Sequence, residues 1–325
     1  MNKRERLEAA IHGQSVDRLP IALWRHFPGD DQRPADLAKA TIAFQRRWDF
    51  DFVKVTPASS FCVHDWGADD AWNGNIEGTR DYTHYPIHQS ADWLSLKPLE
   101  PRAGCLGDQL RCLEIVRAEL PDVPIIQTIF NPLAQAKNLA GPDLLPMLRS
   151  HPGEARRGLE TIAATTVEFI RAARATGVDG VFFAVQHATA QLMSESEYRE
   201  FGIEFDLRVL SAASELWLNV LHLHGERVYF DLLHDYPVQV WNWHDRETAP
   251  GLGEGLAQMS GAVCGGMARE TTLLRGTPDQ VRAEVADAVR QTGRRRLIVG
   301  TGCVTLIPSP ESNLRAARNA VESGL

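Results

Sequence analysis

The sequence predicts an α/β fold, a single (β/α)8 TIM-type barrel, on three observations. Eight short apolar segments recur along the chain, helical patterns separate them, and no GxGxxG follows the first segment. Each segment is rich in Val, Ile, Leu or Phe and bounded by turn residues, as parallel strands buried on both faces should be. Strands alternating with helices give a parallel sheet that closes or stays open, and the missing glycine fingerprint disfavours an open, doubly wound dinucleotide-binding sheet. At 325 residues and 44% hydrophobic content the chain can bury one large core, so 1–325 reads as one barrel domain.

The first strand is RLPIALW (18–24), and the helix DLAKATIAFQRRW (36–48) leads to the second, DFVKVTP (51–57). Residues 58–106 fit neither period and read as an insertion over the barrel mouth, a lid or an oligomer contact, compatible with a homodimer. GDQLRCLEIVRAEL (107–120) precedes VPIIQTIF (123–130), and GEARRGLETIAATTVEFIRAARATG (153–177) precedes DGVFFAV (179–185). A helix over 194–215 follows, then LWLNVLHL (216–223), PVQVWNW (237–243) and GAVCGG (261–266). TPDQVRAEVADAVRQTG (277–293), RLIVGTG (296–302) and PESNLRAARNAVESG (310–324) complete the alternation. Ser194, Thr277 and Ser309 are the expected caps, since a short side-chain oxygen accepts from an otherwise unpaired N–H of the first turn.

Formal net charge is −8, which excludes a broad phosphate-binding surface and gives no attraction to an anionic membrane. The basic run Arg294-Arg295-Arg296 reads as a solvated turn, so no nucleic-acid partner is expected. MNKRERLEAAIHG is charged from its start, unlike a signal peptide, and no apolar run approaches the roughly 18–20 residues of a membrane span. The five cysteines are odd in number and contain no CxxC. A cytoplasmic location with reduced thiols is the expectation, any special cysteine being a ligand or nucleophile.

Barrel chemistry sits at the C-terminal strand ends. Those ends hold Trp24-Arg25-His26, Thr56, Asn131, Gln186-His187, His222-x-His224, Asn242-x-His244-Asp245, Gly265-Gly266 and Cys303. Strand parity places His222 and His224 on one face. With Cys303 they make two imidazoles and a thiolate, three donors of a tetrahedral Zn2+ site with one position open; core packing is the alternative. Arg25 offers a bidentate fork for an anionic substrate or a salt bridge, and His26 beside it should point the other way. One of Gln186 and His187 should face the mouth. NWHDRE (242–247) places His244 and Asp245 as candidate acid–base groups beside an aromatic wall of Trp241 and Trp243. Cys264, inside an apolar strand, is expected to be inert packing. No GxSxG, P-loop or HExxH motif is present.

NKRERLEAAIHGQSVDRLPIALWRH, GVDGVFFAVQHATAQLMSESEYREFGIEF, GGMARETTLLRGTPDQVRAEV and GTGCVTLIPSPESNLRAA occur in the order of four segments of the uroporphyrinogen decarboxylase superfamily. The chain resembles that superfamily over nearly its whole length, and the resemblance implies a (β/α)8 barrel. True uroporphyrinogen decarboxylases carry two arginines in an M-R-Q-A-G-R segment, an aspartate after the second strand and a histidine near the last. Here only Arg25 matches, KVTPASS holds no acid, and Cys303 stands in the histidine's place. The zinc-dependent corrinoid and coenzyme M methyltransferases of the superfamily have H-x-C after the fifth strand and a cysteine in a G-C-x-x-P-like segment after the eighth. This sequence resembles that branch at His222 and Cys303, with His224 in place of the cysteine.

The resemblance implies a Zn2+ site at His222, His224 and Cys303 and a methyl group exchanged with a corrinoid (cobalamin-type) partner protein. The acceptor would be an acidic, thiol or oxygen substrate, with Arg25, Asn131, Gln186 and Asn242 lining its pocket. Metal-free decarboxylation of a porphyrinogen-like acid and non-catalytic corrinoid or tetrapyrrole binding are the alternatives.

Overall fold

The apolar segments form a seven-stranded parallel sheet in a computed structural model described over residues 1–322. It opens with β1 (Val53–Val55), after which β2 (Asp69–Ala71) and β3 (Asp81–His84) pair separately as an antiparallel hairpin. β4 (Ile125–Phe130), β5 (Gly180–Val185), β6 (Val220–Leu223), β7 (Val240–Trp243), β8 (Ala262–Met267) and β9 (Leu297–Thr301) follow in chain order, each beside its predecessor. Every residue of these six strands is buried, which is why they read as apolar runs and not as alternation.

Twelve α-helices pack around the sheet among the described residues. In order they are α1 (Lys3–Ile11), α2 (Pro34–Trp48), α3 (Gly104–Glu119), α4 (Pro132–Ala140), α5 (Leu144–Ser150) and α6 (Pro152–Ala175). Then come α7 (Glu195–Tyr198), α8 (Glu204–Ser211), α9 (Phe230–Leu233), α10 (Leu252–Gln258), α11 (Pro278–Thr292) and α12 (Glu311–Ala320). None is long and apolar enough to cross a membrane.

RLPIALW, expected as the first strand, forms a single bridge, Ile21 to Val299. Pro20 has no N–H to give, so a regular ladder cannot form there. The segment nonetheless joins the two edges of the sheet. Val299 N donates to Pro20 O (2.8 Å) and Ala22 N to Val299 O (3.0 Å), while Asp51 N, just before β1, donates to Ile21 O (2.9 Å). Buried Asp51 locks this seam: its carboxylate accepts from Arg6 Nη1 (2.8 Å), Arg18 Nη1 (2.7 Å) and Ile21 N (2.8 Å). A parallel sheet wound with helices and tied edge to edge is consistent with a TIM-type barrel.

Three local expectations change. The helix expected over 194–215 is interrupted by a wider π-turn at Arg199–Ile203, which packs the Tyr198 ring where a Cβ on Gly202 would sit (2.7 Å). Ser194 and Thr277 cap their helices, but Pro310 occupies the cap of α12 and Ser309 Oγ is buried without a partner. Of the basic run, Arg296 turns inward and donates to the carbonyls of Leu256, Met259 and Gly261. The end of the helix expected to 324 lies outside the described residues. Between β1 and α3 the chain makes three short 3-10 turns around the β2–β3 hairpin.

Candidate metal centre

Even-numbered residues of successive strands face one cavity, of about 390 Å³. Trp24 and His26, Lys54 and Thr56, Thr128 and Phe130, Phe182, Ala184 and Gln186, and His222 and His224 all line it. This is the two-residue period of a strand repeated around the sheet. Glu77–Tyr82 and Tyr85, around the β2–β3 hairpin, line it as well.

His222, His224 and Cys303 line this cavity, and with His244 they bring four donor atoms within 4.8 Å of one another. Local backbone explains the convergence. His224 N donates to Val185 O (2.9 Å), and Gly225 then turns the chain away at φ +96°, a conformation glycine adopts freely. Gly302 lets the chain before Cys303 lie on the backbone of His244; a Cβ there would stand 2.6 Å from His244 Cα. The Cys303 Sγ lies 3.8 Å from His224 Nδ1. The ring centres of His222 and His244 are 6.0 Å apart, and those of His224 and His244 5.2 Å.

Asn242 pairs in register with His222 across β6 and β7. Its Nδ2 donates to Cys264 O (2.7 Å) and Thr301 O (2.9 Å), which turns Oδ1 toward His222 Nδ1 at 2.7 Å. With both amide hydrogens spent on carbonyls, Oδ1 can only accept. His222 therefore carries its proton on Nδ1 and presents a bare Nε2 lone pair. His244 repeats the pattern: Nδ1 is 2.7 Å from Glu247 Oε2, and Nε2 is buried without a hydrogen-bond partner. A ring fixed at one nitrogen with the other free is how metal-ligating histidines are held.

Burial pushes the Cys303 thiol up, but the surrounding imidazoles override it and hold the thiol well below its ordinary range. Burial likewise disfavours charge on His244, yet Cys303 and Glu247 raise it to about 9. Without a cation, then, the thiolate is balanced by an imidazolium. Three imidazole nitrogens and one thiolate fit Zn2+, which accepts both donor types in a tetrahedron.

The same parity sorts the residues proposed from sequence. Gln186 lines the cavity, and Asn242 lies behind His222 as its hydrogen-bond partner. Arg25, on the odd face, stacks 5.1 Å from the Phe27 ring and 5.7 Å from Phe44, away from the cavity; His26 takes the inner position. Asn131 is also turned away, capping α4 at Ala134 N (3.1 Å) and donating to buried Asp206 (3.0 Å). His187 is buried outside the cavity. Asp245 accepts from Gly266 N (3.2 and 3.1 Å), so the carboxylate partner of His244 is Glu247 and not its neighbour. Trp241 and Trp243 are core residues, and Trp24, Phe130 and Phe182 supply the aromatic lining instead. Cys264 is fully buried, its thiol pushed up by burial.

Sequence reasoning missed Lys54, Lys137 and Glu247, and it named His26 only as pointing away from Arg25. One signal was available: a lysine inside the apolar run FVKV, two residues before Thr56 and hence on its face.

The family described as Uroporphyrinogen decarboxylase (URO-D) matches residues 2–324. No curated protein matches the chain in sequence. Among solved structures, a methyltransferase from Methanosarcina mazei superposes with TM-score 0.87 at 19% identity, covering 100% of this chain and 99% of that one. A B12-independent methionine synthase from Shewanella sp. W3-18-1, in complex with selenomethionine, gives TM-score 0.60 at 15% identity over 97% of both chains. A putative vitamin-B12 independent methionine synthase from Listeria monocytogenes gives 0.55 at 9% identity over 96% of both. At these identities the likeness is one of fold.

Proposed function

The chain belongs to the uroporphyrinogen decarboxylase family, and from that premise we propose that it is a zinc-dependent methyltransferase. The observation that carries the reading is the cluster of His222, His224, His244 and Cys303 opening on a substrate-sized cavity. The methyltransferase and methionine synthases that share the fold support it.

His222, His224 and Cys303 would hold the metal from the cavity side, and His244, expected from sequence as an acid–base group, would be a fourth donor that an incoming substrate thiol or hydroxyl would displace to reach the metal. When bound, zinc would supply Lewis acidity that lowers the pKa of a substrate thiol or hydroxyl. Three neutral imidazoles and one thiolate leave a bound Zn2+ one net positive charge, which favours an anionic acceptor. Asn242 and Glu247 keep two imidazoles aimed inward with their protons on the outer nitrogens. Gln186 and Asn138 offer amide groups to the acceptor's polar atoms, and the aromatic lining limits water around it. The methyl group would come from a corrinoid carried by a partner protein. Segment 58–106, read from sequence as an insertion over the mouth, would close the cavity during transfer, as its share of the lining supports.

The test begins with elemental analysis of protein purified without added metal. One zinc per chain is expected, lost on Cys303→Ala; protein without stoichiometric metal overturns the reading. Zinc-loaded protein given methylcobalamin and a thiol should bleach the methylcobalamin spectrum, and Cys303→Ala should not.

Family membership itself favours a second reading, decarboxylation of a porphyrinogen-like acid. The cavity supplies few cations for a polyacid: Arg80 is engaged by Asp70 (2.7 Å) and Asp31 (3.3 Å), which leaves Lys54 and Lys137. Conversion of uroporphyrinogen to less carboxylated products would establish this second reading.

A further inference from the structure

Lys54 is the one cavity-lining cation that is both buried and without a carboxylate partner among the described residues. Its side chain leaves an apolar strand, is 7% exposed, and donates only to Thr56 Oγ1 at 3.2 Å. The ammonium stands 4.5 Å from the centre of the Phe182 ring and 5.9 Å from that of Trp24. Arg80 is spent on two aspartates, and Lys137 is an exposed residue. Holding an ammonium in such a place is costly, and a fold retains that cost where a ligand relieves it.

The rest of the cavity says what kind of ligand. Five aromatic side chains line it, Trp24, Phe130, Phe182, Tyr82 and Tyr85, a lining suited to a flat apolar body. Phe182 meets both ends of the site: Lys54 lies over its ring, and the ring stacks on His222 with centres 5.1 Å apart. Phe182 thus touches both Lys54 and His222 of the donor cluster. His26, with a buried and unpartnered Nδ1, adds a polar atom to the same space.

We propose that Lys54 is the anion anchor of the cavity and that the substrate is a small aromatic acid, its charge on Lys54 and its ring among the aromatic walls. The proposal rests on this cavity being the substrate pocket of the His–Cys centre, and it names the class of substrate. One unpaired buried cation calls for one negative charge. A lysine, lacking the planar fork of arginine, serves carboxylate and sulfonate alike.

The experiment is calorimetric titration of the full chain with benzoate, benzenesulfonate and neutral benzamide, in wild type, Lys54→Met and Cys303→Ala. Both anions should bind wild type at least roughly tenfold more tightly than Lys54→Met, the worth of a charge-assisted hydrogen bond, while benzamide binds the two equally. Lys54→Met should also raise Tm, because it removes a buried charge that has no carboxylate partner; a purely structural lysine would lower it. Anion affinity unchanged by Lys54→Met, no anion binding to wild type, or a fall in Tm overturns the anchor. Cys303→Ala separates the two readings. Anion binding retained there without any zinc in wild type overturns the metal reading alone. Binding lost there but kept in Lys54→Met overturns the anchor alone.

Discussion

Replacing Asn242 separates what holds the fold from what aims the metal ligand. In Asn242→Leu three buried groups lose their partners: the carbonyls of Cys264 and Thr301, and the Nδ1–H of His222. A stranded buried polar group costs about 1–3 kcal/mol, so the metal-free chain should lose about 3 kcal/mol or more in urea unfolding. Freed from its acceptor, the His222 ring can flip or change tautomer, and zinc affinity should fall roughly 10- to 100-fold. Asn242→Asp restores an acceptor for His222 but turns an oxygen toward the two carbonyls. It should therefore destabilise the chain about as much as leucine does while keeping zinc affinity close to wild type. The assays are urea unfolding in chelator and zinc competition against a chromophoric chelator at fixed pH. Zinc affinity unchanged in the leucine variant, or equally poor in both variants, would refute the assignment of Nε2 of His222 as a donor.

Glu247→Gln weakens the acceptor on His244 Nδ1 (2.7 Å); because Glu247 is partly exposed, zinc affinity should fall about tenfold with little change in unfolding midpoint. The same competition assay reads it, and an unchanged affinity removes His244 from the donor set. Asp51→Ala leaves Arg6 and Arg18 without their shared buried carboxylate and unties the seam beside Ile21, so urea unfolding should report a loss of about 3–5 kcal/mol. A loss below 1 kcal/mol, the range of an exposed pair, contradicts that role. Asp206, raised by burial to about 7 despite hydrogen bonds from Tyr198, Asn131 and Tyr236, is neutral in the native state where the unfolded chain has ionised. The folded chain therefore binds the extra proton between about pH 4 and 7, and this group's stabilisation is lost as pH rises through that window. Asp206→Asn should flatten the decline in unfolding free energy between about pH 4 and 7 measured against wild type. Parallel curves for the two proteins would refute it.

Much of the fold was legible because parallel strands buried on both faces leave uninterrupted apolar runs. VPIIQTIF, DGVFFAV and RLIVGTG each contain the strand found there. RLPIALW shows the limit of that signal: composition marks a strand, while Pro20 and the Asp51 seam reduce it to a bridge. The 194–215 stretch shows another, since packing of Tyr198 on Gly202 widens a turn that helical periodicity does not register.

By itself the sequence determined the alternation of strands and helices and the common face of His222 and His224, and it singled out Cys303 as a candidate third member of their cluster. It could not say which face of each strand is inside. When both faces are buried, hydrophobicity marks neither, and Arg25 against His26 or His187 against Gln186 stays undecided until the sheet curls. Tertiary structure made that choice, and with it turned Arg25, Asn131 and Asp245 away and Lys54 inward. It also brought His244 to Cys303 across the loop after β9, and set Asn242 and Glu247 behind two of the rings. Those are contacts between strands or around a turn, fixed by register and backbone course, and spacing along one chain does not encode them.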